Sequence, residues 1–382
     1  MTKYIVARFT NSGFGDHVSC VFGAWRYARD TGRTLIIDWR GSRFNQNIGE
    51  NCFFDFFQKT NSIGGVPIVA DDCLDWIPEA TQIYPLKWSR KNLKEIKHVP
   101  HDAREIEYMN ALMMSGEDRS ENFVVVNQHF SKILPKKELK IILQDLKYHD
   151  RIEKIADKFI LDFAKNQIII GVHLRHGNGE NIGSRASYWL DPISLMRQLI
   201  RDSQNDIHKK NSNNKPGGRF ADNAADSLTV NPKRNSTEAR LYKYTESQIK
   251  LIAKKIKTSE FSVILFTDAS RVIAGMRESI PTVLFYPKKL FDAGQGPLHQ
   301  LHECEGKEIF TAVDPRTIDG MLVEQALLRR CEALVCISSN FTEIIRAELA
   351  DDRVVLLVPR FANRLIVKFI SSIKKFLQPK AV

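Results

Sequence analysis

Eight short apolar runs, at residues 4–9, 34–37, 123–126, 167–174, 262–266, 282–285, 333–337 and 354–358, alternate along the chain with polar or glycine turns and helical periodicity. This alternation restricts the fold more than any other feature, because parallel strands need long crossovers and a helix is the usual one. The chain is therefore expected to be α/β with largely parallel sheets. After the first run, Val18, Val21, Phe22, Trp25 and Ala28 recur at the spacing of one helix face. Further helices are predicted over 152–163, over 192–201, and from Glu246 onward through Ile249, Ile252, Ala253 and Ile256. A chain of 382 residues exceeds what most single cores reach, so two domains are expected, 1–165 and 166–360, followed by a tail at 361–382.

Composition narrows the classes of function. Hydrophobic residues are 43% and charged residues 26%, as in a soluble globular protein. No apolar run approaches the ~18 residues that a spanning helix needs, and the N-terminal segment alternates like a strand without a signal core, so a cytoplasmic location is expected. Cysteines at 20, 52, 73, 304, 331 and 336 form no C-x-x-C pair, which predicts reduced core residues rather than a zinc ribbon or a disulfide framework.

The net charge of +11 suggests nucleic acid or an anionic membrane until it is located. Residues 203–245 carry eight basic and four acidic side chains, and 361–382 carry five basic and no acidic ones, so these two stretches hold nine of the eleven charges. The body is nearly neutral, and no nucleic-acid partner is expected. Asn, Ser, Lys, Gly and Pro dominate 203–245, which is expected to be a flexible insertion in the second domain. In the tail, Leu365, Ile366, Phe369, Ile370, Ile373, Phe376 and Leu377 share one helical face among lysines. Such a stripe either packs on the body or makes a peripheral membrane contact through 364–377.

In parallel α/β sheets ligands bind beyond the carboxyl ends of the strands, where helix N-termini face outward. Four clusters occupy such positions. Gly13-Phe14-Gly15 opens the helix after the first run, and its glycines permit a tight turn and close approach of a phosphate. The segment GVHLRHGNGE, residues 171–180, ends a buried run in His173, Arg175, His176, Asn178 and Glu180. Arg175 could grip two phosphate oxygens at once, as lysine cannot, or could serve a structural ion pair. Asp268 follows SVILF, and Ser338 and Ser339 follow ALVCI. Each is placed to meet a ribose or a phosphate and is equally a helix cap. His299, His302 and Cys304 have zinc-binding side chains but no matching set at ligand spacing, so no metal is expected. Neither D-x-D, a P-loop nor G-x-S-x-G occurs, which removes the usual metal-dependent glycosyltransferase signature, P-loop kinases and α/β-hydrolases.

Taken together, TNSGFGDHVSCVFGAWRYARDTGRTLIIDWRGS at 10–42, IIGVHLRHGNGE at 169–180, LFTD at 265–268, GPLH at 296–299 and VEQALLRRCEALVCISSNFT at 323–342 resemble the NodZ-like nodulation fucosyltransferases of glycosyltransferase family 23. The resemblance implies two Rossmann-like domains in a GT-B-like arrangement, with 1–165 on the acceptor side and 166–360 holding the sugar nucleotide. It implies GDP-fucose as donor, an oligosaccharide acceptor such as the O6 of an N-acetylglucosamine, inversion at the anomeric carbon, and neither cofactor nor metal. Arg175 falls on the family's arginine for the donor diphosphate, with His173 before it, His176 after it and Asn178 close by. Gly13, Phe14 and Gly15 fall on the glycine-rich turn near the donor, Asp268 on the strand-end aspartate and Ser339 on the phosphate-binding serine beside Ser338. Glu324 stands where the family has an aspartate for guanine or ribose. His299 lies on the acceptor side. Gly183 occupies the place of a glutamate found in animal members, which leaves Glu180, with His176 second, to take the acceptor's proton. Other readings are an α1,2-fucosyltransferase or another GDP-sugar transferase, and a noncatalytic protein that holds an anionic surface through its insertion and tail.

Overall fold

A computed structural model describes residues 2–8, 13–42, 44–45, 47, 49–71, 73–79, 81–96, 103–128, 130, 134–164, 167–174, 237–288, 290, 315–337 and 339–357. The first layer contains β1 (Tyr4–Arg8), α1 (Phe14–Thr31), β2 (Thr34–Asp38), α2 (Phe53–Phe56), β3 (Ser62–Ile63), β4 (Val66–Val69), β5 (Ile83–Tyr84), α3 (Arg90–Lys94), α4 (Ala103–Ser115), β6 (Phe123–Val126) and α5 (Lys136–Asp145). Next come α6 (Asp150–Phe159), ending in a π turn at Ile160–Ala164, then β7 (Ile168–His173), α7 (Thr237–Lys255), β8 (Phe261–Phe266) and α8 (Ser270–Ser279). The described chain closes with α9 (Pro315–Arg329), β9 (Ala333–Cys336), α10 (Asn340–Glu348) and β10 (Val354–Leu356).

Two sheets result. The first has the order β3-β4-β2-β1-β6-β5 and is parallel except for the β3–β4 hairpin; the second has the order β10-β9-β7-β8 and is parallel throughout. The α/β class with parallel sheets read from the alternation is the observed one. In both sheets the central strands are buried on both faces, as Ile5, Val6, Val124, Ile170 and Leu334 illustrate, which is why they read as unbroken apolar runs.

α1 forms on the stripe that the sequence marks but buries more than one face, since it lies between β1, α4 and α10. It stops where Gly32 takes the left-handed conformation, φ 68°, and its N–H reaches the Ala28 carbonyl. Three expectations are corrected. The run at 282–285 supplies only one parallel bridge, Leu284 to Ile264, because two hydrogen bonds, from Leu265 N to Leu284 O and from Leu284 N to Val263 O, both 2.8 Å, are all it makes with β8. The helix expected from Glu246 begins at Thr237, inside the stretch assigned to the flexible insertion, because Leu241, Tyr242 and Thr245 are buried ahead of Ile249 on its apolar face. Cys73 is exposed, whereas Cys20, Cys52, Cys331 and Cys336 are buried as expected. The helices predicted at 192–201 and 364–377, and residues 203–236, lie outside the described residues.

The largest apolar cluster does not respect the division into two sheets: it runs from Phe14 and Trp25 through Ile152 and Phe159 to Leu322, Leu327 and Ile344. Helix α6 makes this join by laying Ile152, Ala156 and Phe159 against α9. Among the described residues no helix is long and apolar enough to cross a membrane.

Candidate functional site

The second sheet brings three of the four expected clusters to one edge. Strand pairing sets His173 beside Phe266 on one side and Cys336 on the other, so β7, β8 and β9 end at the same level. Leu174 N donates to Phe266 O at 3.1 Å and Ile337 N to His173 O at 3.2 Å, which holds the three chains together as they leave the sheet. Leu174, Thr267 and Ile337 therefore leave the sheet from neighbouring positions, with Asp268 and Ser339 shortly after the latter two. Arg175, His176, Asn178, Glu180, His299 and Ser338 themselves lie outside the described residues.

His173 is buried and its ring stacks on Phe341, with centroids 5.3 Å apart and planes 20° off parallel. Phe341 stands in the first turn of α10, which Ser339 caps: the Ser339 hydroxyl accepts from Thr342 N at 3.3 Å, and the Thr342 hydroxyl accepts from Ser339 N at 3.3 Å. The cap and a phosphate contact are compatible, since capping occupies one lone pair and leaves amides at the helix N-terminus facing outward.

Glu324 is the most perturbed acid of this edge. It is 4% exposed on α9 and lies 2.5 Å from Lys288 Nζ. Burial pushes its carboxyl up to about 7; the Lys288 ammonium opposes the rise and the charge of Asp268 adds to it. Asp268 is thus within electrostatic reach of Glu324, and the two fall at one place in the fold. Lys288 gave no signal in the sequence. Its side chain crosses α9 at Gly320, where an added Cβ would come within 2.9 Å of the Lys288 Cβ, so the small residue admits the lysine to Glu324.

In the first layer Gly13 caps α1 with an extended backbone and no side-chain partner, its carbonyl accepting from Asp16 N at 2.9 Å and His17 N at 3.2 Å. Phe14 points inward, edge-on to Trp39, Phe44 and Phe56 and stacked on Phe57. Its ring is a core anchor, so what the Gly13–Gly15 turn offers a ligand is backbone. His17, which the sequence reading passed over, braces this turn: its Nδ1 lies 3.2 Å from Gly13 O and its Nε2 3.1 Å from Ser42 Oγ.

A buried relay joins the two layers behind these residues. Phe57 stacks on Tyr148, whose hydroxyl donates to Gln325 Oε1 at 3.4 Å; Gln325 Nε2 donates to Phe341 O at 2.8 Å, and Phe341 carries the stack on His173. Among the described residues no group of three or more His, Cys, Asp or Glu side chains is placed to hold a metal ion.

A family model described as nodulation protein Z (NodZ) matches residues 2–220. The chain is 28% identical to nodulation protein Z of Bradyrhizobium diazoefficiens over 348 residues, covering 90% of this chain and 78% of that protein. It is 26% identical to nodulation protein Z of Sinorhizobium fredii over 370 residues, covering 96% of each. Its fold superposes with a TM-score of 0.58 on a crystal structure of NodZ α-1,6-fucosyltransferase soaked with GDP-fucose, at 22% identity, over 91% of this chain and 93% of that one.

Proposed function

Because the chain belongs to the nodulation protein Z (NodZ) family, we propose that it transfers L-fucose from GDP-fucose to a hydroxyl of a sugar acceptor. The family match carries the reading: it includes both the Gly13–Gly15 turn and the strand end at 171–180. A related NodZ crystal has been soaked with GDP-fucose and another grown with GDP. The shared departure level of β7, β8 and β9 supports placing the nucleotide there, with Asp268 and Glu324 toward the nucleoside and Ser339 toward phosphate.

In the step itself, the acceptor oxygen bonds to the fucose anomeric carbon from the face opposite the nucleotide. The bond from that carbon to the β-phosphate oxygen breaks, and GDP leaves with the electron pair. Negative charge grows on the diphosphate as the bond breaks, so a preformed positive clamp lowers the barrier. Arg175, the backbone amides of the glycine turn and the N-terminus of α10 form that clamp without a metal ion. Glu180, or His176 in its place, takes the acceptor's proton. The acceptor hydroxyl is O6 of an N-acetylglucosamine in a chitin-type oligosaccharide or a surface glycan.

Arg175→Ala is expected to reduce kcat/KM at least about a hundredfold, the scale for loss of one charge-stabilising group, with the melting temperature unchanged. The assay is incubation with GDP-fucose and an acceptor panel, read by mass for one added deoxyhexose. Turnover near wild type in the variant rejects the clamp, and no transfer to any acceptor rejects the activity. EDTA is expected to leave the rate unchanged; a loss that Mn²⁺ restores refutes the metal-free clamp.

A further inference from the structure

A cleft of about 320 Å³ opens beside the candidate donor site, lined by residues of the first layer, of α6 and of α9. Its floor is apolar, formed by Phe44 and Phe56 from the first layer and Ile318 from the first turn of α9. Phe54, only partly buried, stands at its side. The cleft adjoins the site from two directions. Phe44 and Phe56 both touch the ring of Phe14, next to Gly13, with centroids 6.0 and 5.8 Å away. Asp319 stands on α9 about 7.5 Å along the helix axis from Glu324, and both acids act on the hydroxyl of Tyr286, whose pKa is raised mainly by burial and further by their charges.

The rim decides what such a cleft can hold. Asp55 and Asp319 bring two carboxylates, while the one cation of the lining, Arg151, is engaged with Asp319 at 2.5 Å and feels Asp55 as well. The formal balance is negative, which disfavours a diphosphate and places the nucleotide elsewhere. His149 caps α6, its Nδ1 accepting from Arg151 N at 3.5 Å, so in the neutral ring Nε2 carries the proton and can donate. Aromatic surface suits the C–H face of a pyranose, two carboxylates accept from its hydroxyls, and an imidazole N–H donates to a ring or amide oxygen. The volume is at the lower end of ordinary ligand pockets, enough for one or two neutral sugar rings.

From these observations we propose that the cleft is an acceptor subsite that holds one pyranose ring of the saccharide, with Phe54 beneath the ring and Asp55 and Asp319 accepting from its hydroxyls. The inference rests on the fucosyl-transfer reading and assigns the place of the acceptor, which that reading leaves open. Phe54→Ala and Asp55→Asn test it without disturbing the core, since Phe54 is partly buried and Asp55 exposed. The probe is tri-N-acetylchitotriose, measured by calorimetry and saturation-transfer NMR in the presence of GDP, with GDP affinity measured alongside.

Each variant is expected to weaken chitotriose about tenfold, the scale of one aromatic contact or hydrogen bond, with GDP affinity within about twofold of wild type on the same scale. In the transfer assay the acceptor KM should rise by a similar factor while kcat holds. Chitotriose affinity unchanged in both variants, no chitotriose binding by the wild type, or a matching loss of GDP affinity each overturns the subsite. The two readings fail separately. A protein that binds chitotriose through Phe54 and Asp55 yet transfers no fucose keeps the subsite and loses the activity. Transfer with an acceptor KM indifferent to both variants keeps the activity and loses the subsite.

Discussion

An acid buried beside a single lysine is pulled in two directions, and at Glu324 burial prevails over Lys288, leaving the carboxyl half-ionised at about pH 7. In the unfolded chain the same group ionises in the ordinary carboxylate range. Between that range and pH 7 the unfolded state therefore sheds a proton that the folded state keeps, and stability falls as pH rises through this window. Wild type should lose melting temperature from pH 5 to pH 7 relative to Glu324→Gln, which carries no titrating proton; parallel profiles would remove Glu324 as their source. Ligand binding should run the other way, since an ionised carboxylate is the form that accepts from guanine. GDP is expected to bind about tenfold tighter at pH 8 than at pH 6, the span over which a group titrating near 7 becomes ionised, and the Gln variant should lose most of that slope. Equal slopes in the two proteins would place the base elsewhere. Asp268 and Ser339 could be singled out in the sequence because each follows a strand end, and Glu324, inside α9, only through the family resemblance. Lys288, which tunes Glu324 from 36 positions away, could not, since only the crossing at Gly320 brings it there.

The elements that were legible are those with several consecutive buried residues. Ile168–His173 and Phe261–Phe266 each bury four or more positions in a row and read directly as strands, whereas β3 and β5 have two residues each and exist only because β4 and β6 supply their partners. The early start of α7 was hidden by composition: its first turns carry the polar Thr237, Glu238, Arg240 and Lys243 and follow a stretch rich in Asn, Ser, Lys and Gly, and Leu241 and Tyr242 acquire meaning only against α8. There Gly275 gives Tyr242 its space, since an added Cβ would lie 2.1 Å from the ring. Gly171 plays the same part in the strand that carries the candidate site. A Cβ there would meet Cys331 Sγ at 2.9 Å and Leu334 Cδ1 at 3.3 Å, both held in the core. Gly171→Ala is therefore expected to cost about 1–3 kcal/mol through overpacking, read from urea denaturation. A neutral substitution would mean that β7 and β9 are not pressed together as tightly as this.

At the scale of the whole molecule the question is whether two sheets make two folding units. The ion pairs that join them are poor candidates for holding them together: Lys136–Asp351 and Arg151–Asp319 lie at the surface, where such pairs are worth about 0–1 kcal/mol. The apolar cluster is different, because it passes unbroken from Phe14 to Ile344, and one buried amide stands within it. Gln325 is fully buried, accepts from Tyr148 and donates to Phe341 O, so its side chain is bonded to both layers at once. Replacing it by leucine preserves volume and strands both partners, which should cost about 1–3 kcal/mol for each buried group left unpaired. Tyr148→Phe, which removes the longer bond of the two and leaves the amide its shorter one, should cost less. Because the core is continuous, the loss should appear as one transition at lower temperature, monitored by calorimetry and by tryptophan fluorescence, which reports chiefly the first layer through Trp25 and Trp39. Two separated transitions in Gln325→Leu would show instead that the layers fold as independent units that this glutamine holds together. The same variant carries a functional consequence. Phe341 both receives the Gln325 bond and stacks on His173, so loosening it should raise the KM for the sugar nucleotide while the chitotriose affinity of the neighbouring cleft is preserved.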